Sequence, residues 1–337
     1  MSRKEFLLFL LSLLFMLPAV GPVYVVAQTA PGSQASTLEP VVFAIPSLNA
    51  NFLPMVVAEE KGFYRAGGIS ARIQAMAVPV SIAGAATGEV PYVFATTSVI
   101  GAAMRGLRLR VVGFVNVGSF FLYAGPSIRT FADLKGKVIA EATIAGLQDH
   151  LLKTMLKANG LDPVRDVKYL SLGDESLGVA AVKTGQVHAA IAQLPTPLIA
   201  EKEGLKILGN TANFARFPTA AIGTSINRLK SRPAEVKAVI RGTLQGVNFI
   251  KDNLDESAAI LARWQKLSPD LARRTLELLA PSWVANGILT DDEIRAVIEE
   301  RKKPLNLTKD FVVSDVVDFQ LLNEAHKETQ DKSLKGI

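Results

Sequence analysis

The 337-residue chain has no cysteine. Disulfides, thiolate metal sites and a lipid-modified cysteine anchor are therefore excluded. Histidine occurs three times, as His150, His188 and His326, and no two of these stand at metal-ligand spacing. Catalytic signatures are missing too: there is no nucleophile elbow and no dinucleotide fingerprint. "GDESLG" (173–178) lacks the glycines and lysine of a phosphate loop. Charge of one sign is in modest excess, with Lys and Arg at 37 against 31 for Asp and Glu. The formal +6 falls to +5 without residues 1–27, and the basic residues are scattered among acids with no interleaved aromatics. That pattern excludes a nucleic-acid partner and leaves only a weak pull on anions.

What is present begins with an export signal. Arg3 and Lys4 precede an uncharged run from Phe6 to Ala30, broken by Pro18, Gly21 and Pro22. This reads as a secretory signal peptide, residues 1–27, cleaved near Ala27 and followed by a flexible leader over 28–38. The competing reading is an uncleaved membrane anchor, since the run is long enough to span; the prolines and the small residue at Ala27 favour cleavage. The expected location is periplasmic or otherwise extracytoplasmic. Beyond the leader, apolar residues recur in short, regular blocks. With 49% hydrophobic and 20% charged residues overall, the chain is expected to build one large α/β domain or two smaller ones.

The blocks alternate in type. "VVFAI" (41–45), "ISARIQAMAV" (69–78), "VPYVFA" (90–95) and "LRLRVVGFV" (107–115) read as strands. Between them lie helices that stop at Gly62, Gly88 and Gly106, the last opening on a cap from Thr97 or Ser98. The series builds a parallel sheet. It then recurs: "TGEVPYVFAT" (87–96) is echoed by "TGQVHAAIAQ" (184–193), 97 residues later, and "VVFAI" by "KVIAE" (137–141) at nearly the same offset. Two lobes of one design are therefore expected, with first-lobe loops "SLNANF" (47–52) and "TTS" (96–98) facing second-lobe loops "ATIAG" (142–146) and "QLP" (193–195). Ligands bind beyond the carboxyl ends of strands in such sheets. The segments 113–137 and 209–225 would make two hinge crossings, and from about Ser231 the chain becomes helical, with Ser268 and Thr290 as caps.

Several of these stretches carry a family likeness. "PMVVAEEKGFYRAGGISARI", "AATGEVPYVFATTSVIGAAMRGLRLRVV", "FADLKGKVIA", "LLKTMLKANGLDPVRDVKYLSLGD" and "VDFQLLNEA" resemble a family of ABC-importer substrate-binding proteins that includes binders of sulfonates, taurine, nitrate and thiamine-pyrimidine precursors. The resemblance spans about residues 40–328. It implies a type II periplasmic-binding-protein fold, α/β, with two parallel or mixed-sheet lobes joined by a two-crossing hinge. It also implies closure over a small-molecule solute and transient docking on the membrane subunits of an ABC permease. The lobes are expected at 39–125 with 216–330, and at 126–215. Two departures stand out. The position after the "GEV" turn, commonly aspartate in the family, is Pro91 in one lobe and His188 in the other, and "EATIAGLQDH" replaces a glycine- and serine-rich loop.

Position in the motif puts Asn49, Asn51 and Phe52 against the ligand, with amides that both donate and accept beside an apolar face. Thr96, Thr97 and Ser98 add hydroxyls at a helix start, matched in the second lobe by Thr143, Ala145 and Gly146. Gln193 stands opposite Thr96 in the repeat, Asn116 ends strand four, and Arg216 comes from the returning hinge. No Arg or Lys lies within the four loops, which favours a neutral or weakly polar solute. No cofactor, metal or catalytic residue is expected, and the protein is expected to be a monomer. The alternatives are a biosynthetic enzyme on the same fold and a solute sensor without an ABC permease.

Overall fold

Among the described residues, ten strands make two five-stranded sheets of matching design. A computed structural model describes residue 38 and residues 40–118, 120–144, 146–214 and 217–334. The expected signal peptide and nearly all of the leader lie outside these. The first sheet has the order β2-β1-β3-β10-β4, from Ser70–Ala75, Pro40–Ile45, Tyr92–Val93, Phe217–Ser225 and Leu109–Gly118. The second has the order β7-β6-β8-β5-β9, from Lys168–Ser171, Val138–Glu141, Ala189–Ala192, Phe121–Ala124 and Lys206–Asn210. In each, three strands pair in parallel and the fourth position is antiparallel to both neighbours. The echo at 97 residues falls on equivalent strands, Tyr92 in β3 and Ala189 in β8.

The α/β lobes of a type II periplasmic-binding-protein fold are thus present, with one correction of detail. Phe121–Ala124 reads in sequence as connector within the first lobe, yet it is a strand of the second sheet. Its four fully apolar residues follow ten of β4 almost without punctuation, so nothing local marks the crossing. Both sheets are mixed, as the expected parallel or mixed lobes allow: β10 inserts between β3 and β4 in the first, and β5 between β8 and β9 in the second.

Local sequence explains the helices that position the strand ends. Helix α1 (Leu53–Glu60) carries Pro54 in its first turn, where a missing N–H costs nothing, and ends before Gly62 at φ 75°. Helices α2 (Phe63–Ala66), α3 (Val78–Thr87) and α4 (Thr96–Met104) follow, the last two ending before Gly88 and Gly106 at φ 91° and 90°. In the second lobe α5 (Leu147–Ala158), α6 (Gly178–Lys183) and α7 (Thr196–Lys202) play the same part. The C-terminal helices are α8 (Ile226–Ser231), α9 (Pro233–Asp252), α10 (Leu254–Gln265), α11 (Pro269–Leu279), α12 (Asp291–Lys302) and α13 (Gln320–Leu334). Ser268 caps α11 and a Thr290–Glu293 capping box opens α12, both as expected.

The first-lobe core centres on Phe43, whose ring lies 5.1–5.4 Å from those of Tyr64, Tyr92 and Phe94. Helix α9 covers this face, and the Tyr64 hydroxyl reaches Thr243 Oγ1 at 2.8 Å. Leu194 and Leu198, from the second lobe, belong to the same apolar cluster. Among the described residues, no helix is long and apolar enough to cross a membrane.

Candidate functional site

The loop after β1 is organised by its asparagines. Asn49 Oδ1 accepts from the Asn51 N–H at 3.0 Å and so caps the short turn Ala50–Phe52. Its amide nitrogen is then free to reach elsewhere. It donates to Ser47 Oγ at 3.0 Å and, across the lobes, to Gln193 Oε1 at 3.1 Å. Turn formation and the contact across the lobes are thus one arrangement, with a single side chain serving both.

Asn51 is 1% exposed, and its amide is only half used. Oδ1 accepts from Asn116 Nδ2 at 2.9 Å, while Asn51 Nδ2 has no partner. Asn116 is committed: its Oδ1 accepts from Thr219 Oγ1 at 2.6 Å and from the Ala220 N–H at 3.1 Å. The irregular register of β10 around Thr219 creates those donors, and Gly118 is required beside it, since a Cβ there would strike the Thr219 side chain. Asn116 therefore aims Asn51. The segment after α11 completes this floor. Trp283 bridges to Asn116, Val284 N–H donates to Val115 O at 2.9 Å, and the buried Trp283 Nε1 has no partner. Thr96 opens α4 at the end of neighbouring β3, 1% exposed, with an unpartnered Oγ1. The cap expected from Thr97 or Ser98 is not made: the residue before the helix is Ala95, and no side chain caps it. Thr97 and Ser98 are half-buried in the first turn.

The second lobe presents amides and acids. Gln148 on α5 accepts from the Ala142 N–H at 2.7 Å and donates to Ile191 O at 3.2 Å and Glu175 Oε2 at 3.3 Å. Glu175 Oε2 also accepts from the Gln193 N–H at 3.1 Å, which fixes Gln193 opposite Asn49. Burial pushes the Glu175 carboxyl up to about 7, against the lowering effect of the Gln193 and Gln148 donors. Glu141, at the end of β6, is 1% exposed with neither oxygen hydrogen-bonded. Burial and then Asp149 raise it to about 8.

The expected residues therefore divide. Asn49, Asn51, Asn116 and Gln193 are brought into one hydrogen-bonded chain across the lobes. Phe52 lies beside them but is buried to 3% in the first-lobe core, so it offers the site a wall from within. Thr143 is exposed, Gly146 precedes α5 in extended backbone, and no hydrogen bond between described residues ties either to the asparagine chain. Ala145 and Arg216 lie outside the described residues. Sequence reasoning missed Gln148, Glu175 and Thr219, and reads Trp283 as a packing residue, which its place in the first-lobe core bears out. The first two are polar letters on a helix or turn, and Thr219 joins the site only through folding across 103 residues.

Comparison with known proteins places this geometry. A family model described as "NMT1/THI5 like" matches residues 49–257. The chain belongs to the NMT1/THI5-like family. Three of the proteins it resembles are named as binding proteins. The riboflavin-binding protein RibY of Chloroflexus aurantiacus is 28% identical over 281 residues, covering 79% of this chain and 78% of that one. The nitrate-binding protein NrtA from Synechocystis PCC 6803 superposes with a TM-score of 0.71 at 17% identity, covering 87% of this chain and 89% of that one. The alkanesulfonate-binding protein SsuA from Xanthomonas axonopodis pv. citri, bound to MOPS, gives 0.66 at 22% identity over 82% and 97%. At these identities the structures establish the fold this NMT1/THI5-like chain shares with periplasmic binding proteins.

Proposed function

We propose that the protein is the extracytoplasmic solute-binding component of an ABC-type importer, and that its solute is a neutral, acceptor-rich heteroaromatic compound held between the lobes. The observation that carries this reading is a set of buried donors left without partners, Asn51 Nδ2, Thr96 Oγ1 and Trp283 Nε1, beside strand-end loops that contain no Arg or Lys. An unpaired buried donor costs about 1–3 kcal/mol, a cost that a guest supplying acceptors would remove. Ring nitrogens and carbonyls would do so. No Arg or Lys occurs at the strand ends over 46–52, 94–98, 141–144, 172–177 or 193–196, so an anion would find no cationic side chain in these loops. The RibY relative supports a flavin- or pyrimidine-like ring over the oxyanions named for the SsuA and NrtA structures.

Asn49, Gln193, Thr97, Ser98, Thr143, Ala145, Gly146 and Arg216 would form the rim, with the lobes moving about the two crossings near residues 118–121 and 210–217. The reading is of a binder without catalysis. His150 packs on Phe217, His188 Nδ1 accepts from the Val138 N–H, and His326 meets Asn286 O. Among the described residues, none of the three hydrogen-bonds to a hydroxyl of the strand-end loops. A monomer delivering its solute to permease subunits by transient docking fits this role. The test is a thermal-unfolding screen with riboflavin, pyrimidines, alkanesulfonates and nitrate, since a ligand of the folded state raises the midpoint. A rise with the ring compounds alone is expected; a rise confined to nitrate or sulfonates would replace this solute class.

A further inference from the structure

A second binding feature lies at the opposite end of the first lobe. The strand ends that carry Asn51, Thr96 and Asn116 are at one pole. At the other, α4 ends at Met104, β4 begins at Leu109 and β10 ends at Ser225. Between them opens a cavity of about 300 Å³ whose walls include Met104, Arg108, Arg110, Lys309, Phe311 and Asp315. Three of these side chains are cations, and none of the three forms an ion pair among the described residues. Arg110 donates only to Leu109 O at 2.8 Å, and the Lys309 ammonium stands 5.5 Å from the Phe311 ring centre. The one acid, Asp315, has an oxygen committed to the Val312 N–H at 3.0 Å.

We infer that this pocket binds a phosphate-type anion bearing an apolar group, with Arg108, Arg110 and Lys309 on the anion and Met104 and Phe311 against the apolar part. Three like charges around one hollow raise the local positive potential, and a guest with charge-assisted bonds to guanidinium groups relieves it. The cations also complement the carboxyl end of α4, but that interaction falls off within a turn and leaves Lys309, from a distant segment, unexplained. The volume is at the lower end for small-molecule sites, suited to a small ester or to one lipid headgroup. The site is separate from the solute cleft and does not depend on the function proposed for it.

The test uses calorimetric titration of the full chain with phenyl phosphate and with inorganic phosphate, and co-sedimentation with vesicles of phosphatidylglycerol or of phosphatidylcholine. Saturable phenyl phosphate binding is expected, weaker by about tenfold in Arg108→Gln and again in Lys309→Gln, and unchanged in Asn51→Ala. Arg108 and Lys309 are exposed, so neither substitution threatens folding. Phe311→Ala should erase the preference for phenyl over inorganic phosphate. Retention on phosphatidylglycerol but not phosphatidylcholine, lost in the same two variants, would assign the anion to a lipid headgroup; titration without vesicle retention would assign it to a soluble ester. Binding indifferent to both cation variants, binding abolished by Asn51→Ala, or no response to any probe would overturn the proposal.

Discussion

Under the proposed function, the indole of Trp283 offers a test that separates packing from recognition. Its ring is buried at 5% exposure while Nε1 has no acceptor. Trp283→Phe keeps most of the aromatic contact and deletes an unsatisfied donor, so the free protein should unfold at an unchanged or slightly higher temperature. Affinity for the solute should nevertheless fall by about 1–2 kcal/mol, roughly tenfold, if the solute supplies the acceptor. Titration calorimetry beside thermal unfolding checks both halves, and a loss of stability without loss of affinity would assign the residue to packing alone. Glu141 gives a prediction about pH. It faces Asp149 and Lys153 on α5, with Tyr169 of β7 nearby, and burial raises its carboxyl to about 8. Because the folded state favours the protonated form, stability from this group is complete below the ordinary carboxylate range. It is lost progressively as pH rises through about 8. Glu141→Gln should therefore flatten the decline in melting temperature between about pH 5 and pH 9, and stabilise the protein most at the alkaline end. An identical decline in the variant would exclude Glu141 as its source. The sequence made the small polar loops readable, since Asn49, Asn51 and Thr96 sit at strand ends. It did not reveal which of their atoms remain unpaired, because that depends on Asn116 and Thr219, which meet only in the fold.

At the scale of elements, the most constrained contact is the crossing of α9 over α1. Gly246 stands where a Cβ would strike the Pro54 carbonyl, with Ala58 close behind. A glycine inside a 20-residue helix lowers helix propensity, yet here it permits the approach that buries Val239, Ile240 and Val247. Gly246→Ala should gain propensity and lose packing, with overpacking prevailing at about 1–3 kcal/mol of destabilisation in urea unfolding. A neutral or stabilising result would mean that the helices slide apart freely. From sequence, Gly246 reads only as a weak point in an apolar stripe, whereas Gly62, Gly88 and Gly106 are legible as helix stops because their role is local backbone conformation. The same distinction explains the strands. β1 and β2 are recovered from β-branched and alternating residues. β3 shrinks to Tyr92–Val93, and β5 is hidden in an apolar run that continues β4, because pairing rather than composition sets their limits. The repeat survives this loss of detail, since matching sheet orders require only that equivalent segments recur in order.

For the whole molecule, the decisive question is what holds one lobe to the other. The Asn49–Gln193 hydrogen bond at 3.1 Å is joined by Ala50 N–H to Leu194 O at 3.5 Å, and Leu194 and Leu198 sit in the first-lobe core. Farther out, Arg274 meets Glu201 at 3.0 Å and Lys202 meets Asp270 at 3.6 Å, linking α7 to α11. Those pairs are exposed and contribute little. Under the proposed function, apolar burial and the two buried interlobe hydrogen bonds would carry closure, with the solute adding the rest. Gln193→Ala removes the interlobe bond while Asn49 keeps its Ser47 partner and its cap, so the first lobe is left intact. In small-angle scattering the ligand-free variant should be more expanded than the unsubstituted protein, and saturating solute should return both to the same radius. Solute affinity should fall by about fivefold to tenfold, because binding must now supply the closure energy that the amide bond had supplied in advance. Equal radii for the two proteins, with and without solute, would mean that the lobes form a rigid pair and that capture proceeds without hinge motion.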